Sequence, residues 1–136
     1  MRKLFLVLIF LLPNICLGGN MKITIDNKIY NIKLDNNIVV DEIVSKVPFE
    51  LEMINYAGHE FYDELPFTPS SKGVGQTSDL KAGHIYYWAG GNSFVLNYRD
   101  FDISPYKSVH IGEFTDMSVI DVLKKGSNKI NIKIDK

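Results

Sequence analysis

Apolar residues fall at every second position through five separate stretches of this chain, a spacing that lines one face of a β-strand and cannot line one face of a helix, and three further runs are β-rich without strict alternation. Ile23 and Ile25 alternate with Lys22, Thr24 and Asp26, and Tyr30, Ile32 and Leu34 alternate with Asn31 and Lys33. Asn27-Lys28 lies between them as the expected tight turn. Phe49, Leu51 and Met53 repeat against Glu50 and Glu52, and beyond Ala57-Gly58 a further strand is expected from Glu60 to Leu65, where Pro66 ends it. His84 to Trp88 and Phe94 to Tyr98 flank Ala89-Gly90-Gly91-Asn92, a hairpin signal because glycine tolerates positive φ. Val109 with Ile111, then Ile130, Ile132 and Ile134, complete the set.

Two stretches depart from this period. Val40, Ile43, Val44 and Val47 recur at helical spacing, with Asp41 and Glu42 in the first turn and Pro48 as a stop. Asp116 reads as the N-cap of a second short helix carrying Val119, Ile120 and Leu123, with Gly126 at its C-cap. The segment from Phe67 to Gly83 is rich in Pro, Ser, Thr and Gly and longer than an ordinary connection, which marks it as a lid or a rim. The expected fold is mainly β: a closed barrel of about eight strands with two short helices, since closure hides strand edges that would otherwise pair with other chains.

The first twenty residues follow another logic. Arg2 and Lys3 precede an apolar run from Leu4 to Leu12, Pro13 and Asn14 break it, and Cys16-Leu17-Gly18 supplies small residues at a cleavage site. Residues 1–18 are therefore expected to be a signal peptide and 19–136 the folded domain. The run is shorter than the roughly 20 residues that span a bilayer, so no transmembrane anchor is expected and the product is secreted or periplasmic. Ile15 argues against lipidation of Cys16, because the lipoprotein signal peptidase wants a small residue before the cysteine. Cleavage would remove the single cysteine and with it any disulfide or thiolate chemistry.

The 136-residue chain carries 15 basic and 16 acidic residues. Losing Arg2 and Lys3 leaves 13 − 16 = −3, and the one basic doublet, Lys124-Lys125, suits the last turn of a helix. No nucleic-acid partner is expected from such a balance. Nor is a metal: His59-Glu60-Phe61-Tyr62-Asp63 loosely resembles a zinc-protease motif, but that motif needs a helix, and Gly58 with period-two spacing points to a strand. His84 and His110 fall on separate strands without ligand-like spacing and read as satisfied or solvent-facing histidines. Gly73-Val74-Gly75-Gln76 follows a loop and leads into no helix, so it reads as a flexible turn and not a phosphate cradle. No serine stands in a nucleophile-elbow context, and no cofactor is implied.

Val47-Pro48, Asn55-Tyr56-Ala57-Gly58-His59-Glu60-Phe61-Tyr62, Leu80-Lys81-Ala82-Gly83-His84-Ile85-Tyr86-Tyr87-Trp88, Val95-Leu96-Asn97-Tyr98 and Val109-His110-Ile111-Gly112-Glu113 come in an order that resembles the bacterial cyclophilin-like domain family. The resemblance covers essentially residues 21–135 and implies a barrel similar to cyclophilin. It does not carry prolyl isomerase activity with it. True cyclophilins use an arginine in a Phe-His-Arg stretch followed by Phe, Met and Gln, whereas the arginine left after cleavage, Arg99, stands in Asn97-Tyr98-Arg99-Asp100-Phe101.

Aromatic residues crowd the middle of the chain, more than a small barrel can bury. Along the strand, Tyr86, Tyr87 and Trp88 must face alternately in and out. The expected function is an exported, non-catalytic binding module whose groove holds an extended peptide or other small ligand. Its candidate residues are Tyr56, Glu60, Tyr62, Trp88, Tyr98, Arg99 and Phe101, bordered by the 67–83 loop. Arg99 beside Asp100 also reads as a solvated surface pair. The alternative function is a divergent or weak peptidyl-prolyl isomerase.

Overall fold

The computed structural model describes residues 20–136, so the signal peptide expected over 1–18 lies outside the described residues. Ten strands and two helices follow in order: β1 Met21–Ile25, β2 Lys28–Leu34, α1 Ile38–Lys46, β3 Phe49–Tyr56, β4 Glu60–Glu64, β5 Asp79–Leu80, β6 His84–Trp88, β7 Ser93–Asn97, β8 Phe101–Asp102, β9 Val109–Phe114, α2 Val119–Lys124 and β10 Lys129–Asp135. Eight of the strands close an antiparallel barrel in the order β1-β10-β3-β4-β7-β6-β9-β2, while β5 and β8 pair only with each other.

The alternation sets which side chains enter the barrel. Ile23, Tyr30, Met53, Phe61, Phe94 and Ile111 are among those packed into one core, and both helices join it, α1 through Val39, Val40 and Ile43 and α2 through Val119 and Leu123. Asn37 caps α1 by accepting from the Val40 amide at 2.9 Å.

Local chemistry moved three features from their expected places. The opening turn uses Asp26 and Asn27, one residue earlier than the spacing suggested. Both take positive φ (51° and 66°), as a two-residue hairpin turn demands, and Asp and Asn tolerate it better than Lys. In the β6–β7 turn the left-handed residue is Asn92, not a glycine. Gly90 serves another purpose, since a Cβ there would stand 2.7 Å from the Trp88 indole that folds over it. Asp116 does not cap α2. Its carboxylate accepts from the Ser118 amide and from Lys28 Nζ, holding the turn that leads into the helix.

Covering of the outer wall is what positions the site. On β4, β7 and β6, Phe61, Leu96 and Tyr87 point into the barrel, so their neighbours Tyr62, Val95 and Tyr86 point out. These outward residues are not left to solvent. The β5–β8 ribbon lies over the wall: Leu80, Tyr86 and Val95 form a second buried cluster with Tyr62 and Ile103 against it. The ribbon is held by the Thr77–Ser108 bridge and by Lys81, whose amide donates to the Tyr86 hydroxyl at 2.8 Å.

Candidate functional site

Between the ribbon and the outer wall the surface opens into a cleft of about 630 Å³, within the usual size of a ligand site. Its floor comes from the outward residues of β4, β7 and β6, and its rim from residues 101–108. Five of the seven residues expected from sequence meet there: Tyr56, Glu60, Tyr62, Trp88 and Phe101. Tyr56 packs edge-on against Tyr62 at 5.8 Å between ring centres, and Trp88 against Tyr106 at 6.0 Å.

The other two lie elsewhere. Tyr98 is buried, its ring against Phe61 in the barrel core and its hydroxyl donating to Asn55 Oδ1 at 2.7 Å. An aromatic on an alternating strand has two faces to choose between, and here it takes the inner one. Arg99 is exposed and lies outside the cleft, with its guanidinium 6.0 Å from the Tyr98 ring. The expected pairing with Asp100 is absent among the described residues; Asp100 instead accepts from the Ala82 amide.

Residues that sequence reasoning missed include His59, Leu80, Asp102, Ile103 and Tyr106. Of the 67–83 loop only Leu80 reaches the cleft, and the 101–108 rim carried no periodic signal. His59 is buried at the end of the Ala57-Gly58 turn and stacks on Phe101, with ring centres 3.9 Å apart and planes 8° from parallel. Asn97 donates to the Arg99 carbonyl, which leaves its Oδ1 to accept from His59 Nδ1–H at 3.0 Å. That proton is therefore directed to Asn97 and not to Glu60, whose Oε1 lies 3.5 Å from Nδ1.

Glu60 is the anomaly of the cleft. Its side chain is only 14% exposed, it receives no side-chain hydrogen bond among the described residues, and burial pushes its carboxyl up to about 7. Asp102 on the rim behaves oppositely. Its carboxylate accepts from the Ser104 hydroxyl and amide, which hold it below the ordinary range.

A second titratable group lies on the adjoining β6–β9 wall. His110 donates from Nδ1 to Asp35 at 2.6 Å and accepts at Nε2 from His84 Nδ1 at 2.8 Å, while His84 Nε2 faces Glu113 at 3.4 Å. Thus the two histidines that spacing kept apart are direct partners. A register shift pairs Ile85 with Gly112 but Tyr86 with His110. This bulge lets His110 and Glu113, three residues apart, share one face with His84. Burial and the His110 charge lower the His84 pKa, against the pull of Glu113 and Asp35.

No helix among the described residues is long and apolar enough to cross a membrane. Comparison with solved structures finds the solution structure of the hypothetical protein AF2241 from Archaeoglobus fulgidus. It superposes with a TM-score of 0.60 at 13% identity, covering 91% of this chain and 98% of that one, a likeness of fold. No curated protein matches. Residues 23–135 match the model of the Cyclophilin-like family, and with a closed antiparallel barrel beneath that match, the chain belongs to the Cyclophilin-like family.

Proposed function

We propose that this protein is an exported, non-catalytic binding module that holds an extended peptide in the cleft between the β5–β8 ribbon and the barrel wall. The observation that carries the reading is the convergence there of Tyr56, Tyr62, Trp88 and Phe101 around one carboxyl group. Rigid aromatic side chains give large contact area at low entropic cost, the usual anchors of a peptide site. An extended backbone fits because each strand of a two-stranded ribbon keeps one unpaired edge, and residues 101–104, which begin with β8, line the cleft. The isomerase alternative lacks a cation where it would be needed, since Arg99 stands outside the cleft.

Trp88 is the single tryptophan of the chain and lines the cleft, so its fluorescence reports occupancy. Pentapeptide pools titrated into the protein are expected to give a saturable Trp88 response that Tyr62→Ala abolishes. A flat response from every pool would remove the peptide reading. Export rests on the basic, apolar and small-residue pattern of residues 1–18. N-terminal sequencing of protein recovered outside the cytoplasm should begin at Gly19, and a chain still starting at Met1 would refute cleavage.

A further inference from the structure

We infer that the cleft selects a ligand bearing a positive charge, an ammonium or guanidinium seated on the Glu60 carboxylate against the aromatic walls; this deepens the binding reading above and rests on it. Three observations support it independently. First, Glu60 is mostly buried and has no hydrogen-bond donor of its own among the described residues, because the nearest proton, on His59 Nδ1, is committed to Asn97. A carboxylate so thinly solvated and without a protein donor favours its neutral form or a cation beside it. Second, no lysine or arginine among the described residues lines the cleft, so none of them competes for that place. Asp102, the other lining carboxylate, adds to the negative potential while its Oδ1 accepts from the Ser104 amide and hydroxyl. Third, Tyr56, Tyr62, Trp88, Phe101 and Tyr106 surround the space, and the negative faces of aromatic rings attract cations most strongly where water is excluded.

The raised pKa of Glu60 fits the same picture. An empty cleft keeps much of this carboxyl protonated near neutrality, and an arriving cation draws the proton off. Binding should then strengthen as pH rises from 6 to 8, by up to about tenfold if only the ionised form binds. The titratable groups sharing the cleft with Glu60 are His59, Tyr56, Tyr62, Tyr106 and Asp102.

The test uses three matched pentapeptides, with lysine, norleucine or glutamate at one position, and n-butylammonium as a minimal probe. Each is titrated against the wild type and Glu60→Gln with Trp88 fluorescence as readout, and circular dichroism checks that the variant is folded. The lysine peptide should bind about tenfold or more tightly than the norleucine peptide. The glutamate peptide should bind weakest, and Glu60→Gln should erase the lysine advantage. Equal binding of lysine and norleucine peptides, unaffected by Glu60→Gln, would overturn the charge inference and leave peptide binding standing. Glu60-dependent binding of n-butylammonium with no peptide bound would do the reverse. No response to any probe would sink both.

Discussion

Two carboxylate–histidine arrangements sit on neighbouring walls of one barrel and are treated in opposite ways. Asp35, His110 and His84 form a hydrogen-bonded chain, with the Glu113 carboxylate 3.4 Å from the far ring nitrogen of His84. Glu60 and His59 are adjacent in sequence yet do not satisfy each other, because Asn97 takes the histidine proton and leaves the carboxyl beside aromatic rings. The first arrangement makes its hydrogen bonds within the protein and fastens the 34–37 segment to β9. The second leaves its carboxyl without a protein donor, which is the feature the proposed cation site uses. A half-buried acid whose carboxyl is pushed up by desolvation, at a cleft lined by aromatic rings, points to a binding role more than to one in holding the barrel together.

The largest expected effect comes from removing the unsatisfied member. Glu60 has a folded pKa near 7 against a reference value of 4.5, so the native state holds its proton more tightly than the unfolded chain does. For a carboxyl raised in this way, stability is highest below about pH 4.5, falls as pH rises through the interval, and levels off above 7. The difference of 2.5 pH units corresponds to about 3 kcal/mol at most. Relative to the wild type, Glu60→Gln should gain that amount between pH 4 and pH 8 in urea denaturation. A gap that does not widen with pH would mean the carboxyl is already satisfied, and the contrast between the two sites would vanish.

How much of this was readable from sequence follows the same division between inside and outside. Inward positions such as Ile23, Leu51 and Met53 are legible because alternation with polar neighbours such as Lys22, Glu50 and Glu52 is a period-two signal that burial on one face creates. Along β7 the signal failed, since Ser93 to Asn97 are all buried once the ribbon covers the outer wall. Tyr98 was accordingly assigned to the groove when it belongs to the core. The ribbon pairs only Asp79-Leu80 with Phe101-Asp102, too short for any periodicity, which is why the rim went unread. The meeting of His84 with His110 needed the adjacency of β6 and β9 and a bulge, and neither is encoded by spacing. Tyr56, Glu60, Tyr62, Trp88 and Phe101 were reachable because surplus aromatics in a small barrel must go outside.

The smaller expected effect probes the satisfied member. Asp35→Asn removes the charge from one end of the chain while keeping its size. Because the Asp35 side chain is 43% exposed, replacing the charged acceptor of the His110 Nδ1–H hydrogen bond by a neutral one should cost only about 1 kcal/mol at pH 8. The pH dependence distinguishes this site from the cleft by its sign. His84 has a folded pKa below the reference 6.5, so its neutral form is the one the fold prefers. That contribution is complete above 6.5 and is lost as pH falls below it, the mirror image of Glu60. Asp35 is one of the charges that raise the His84 pKa against burial and His110. Taking it away should move the His84 titration, followed by NMR of the ring protons, to still lower pH and deepen the acid loss of stability. An upward or absent shift would show that the Asp35 charge does not act on His84, and the lowered His84 pKa would rest on burial and His110 alone.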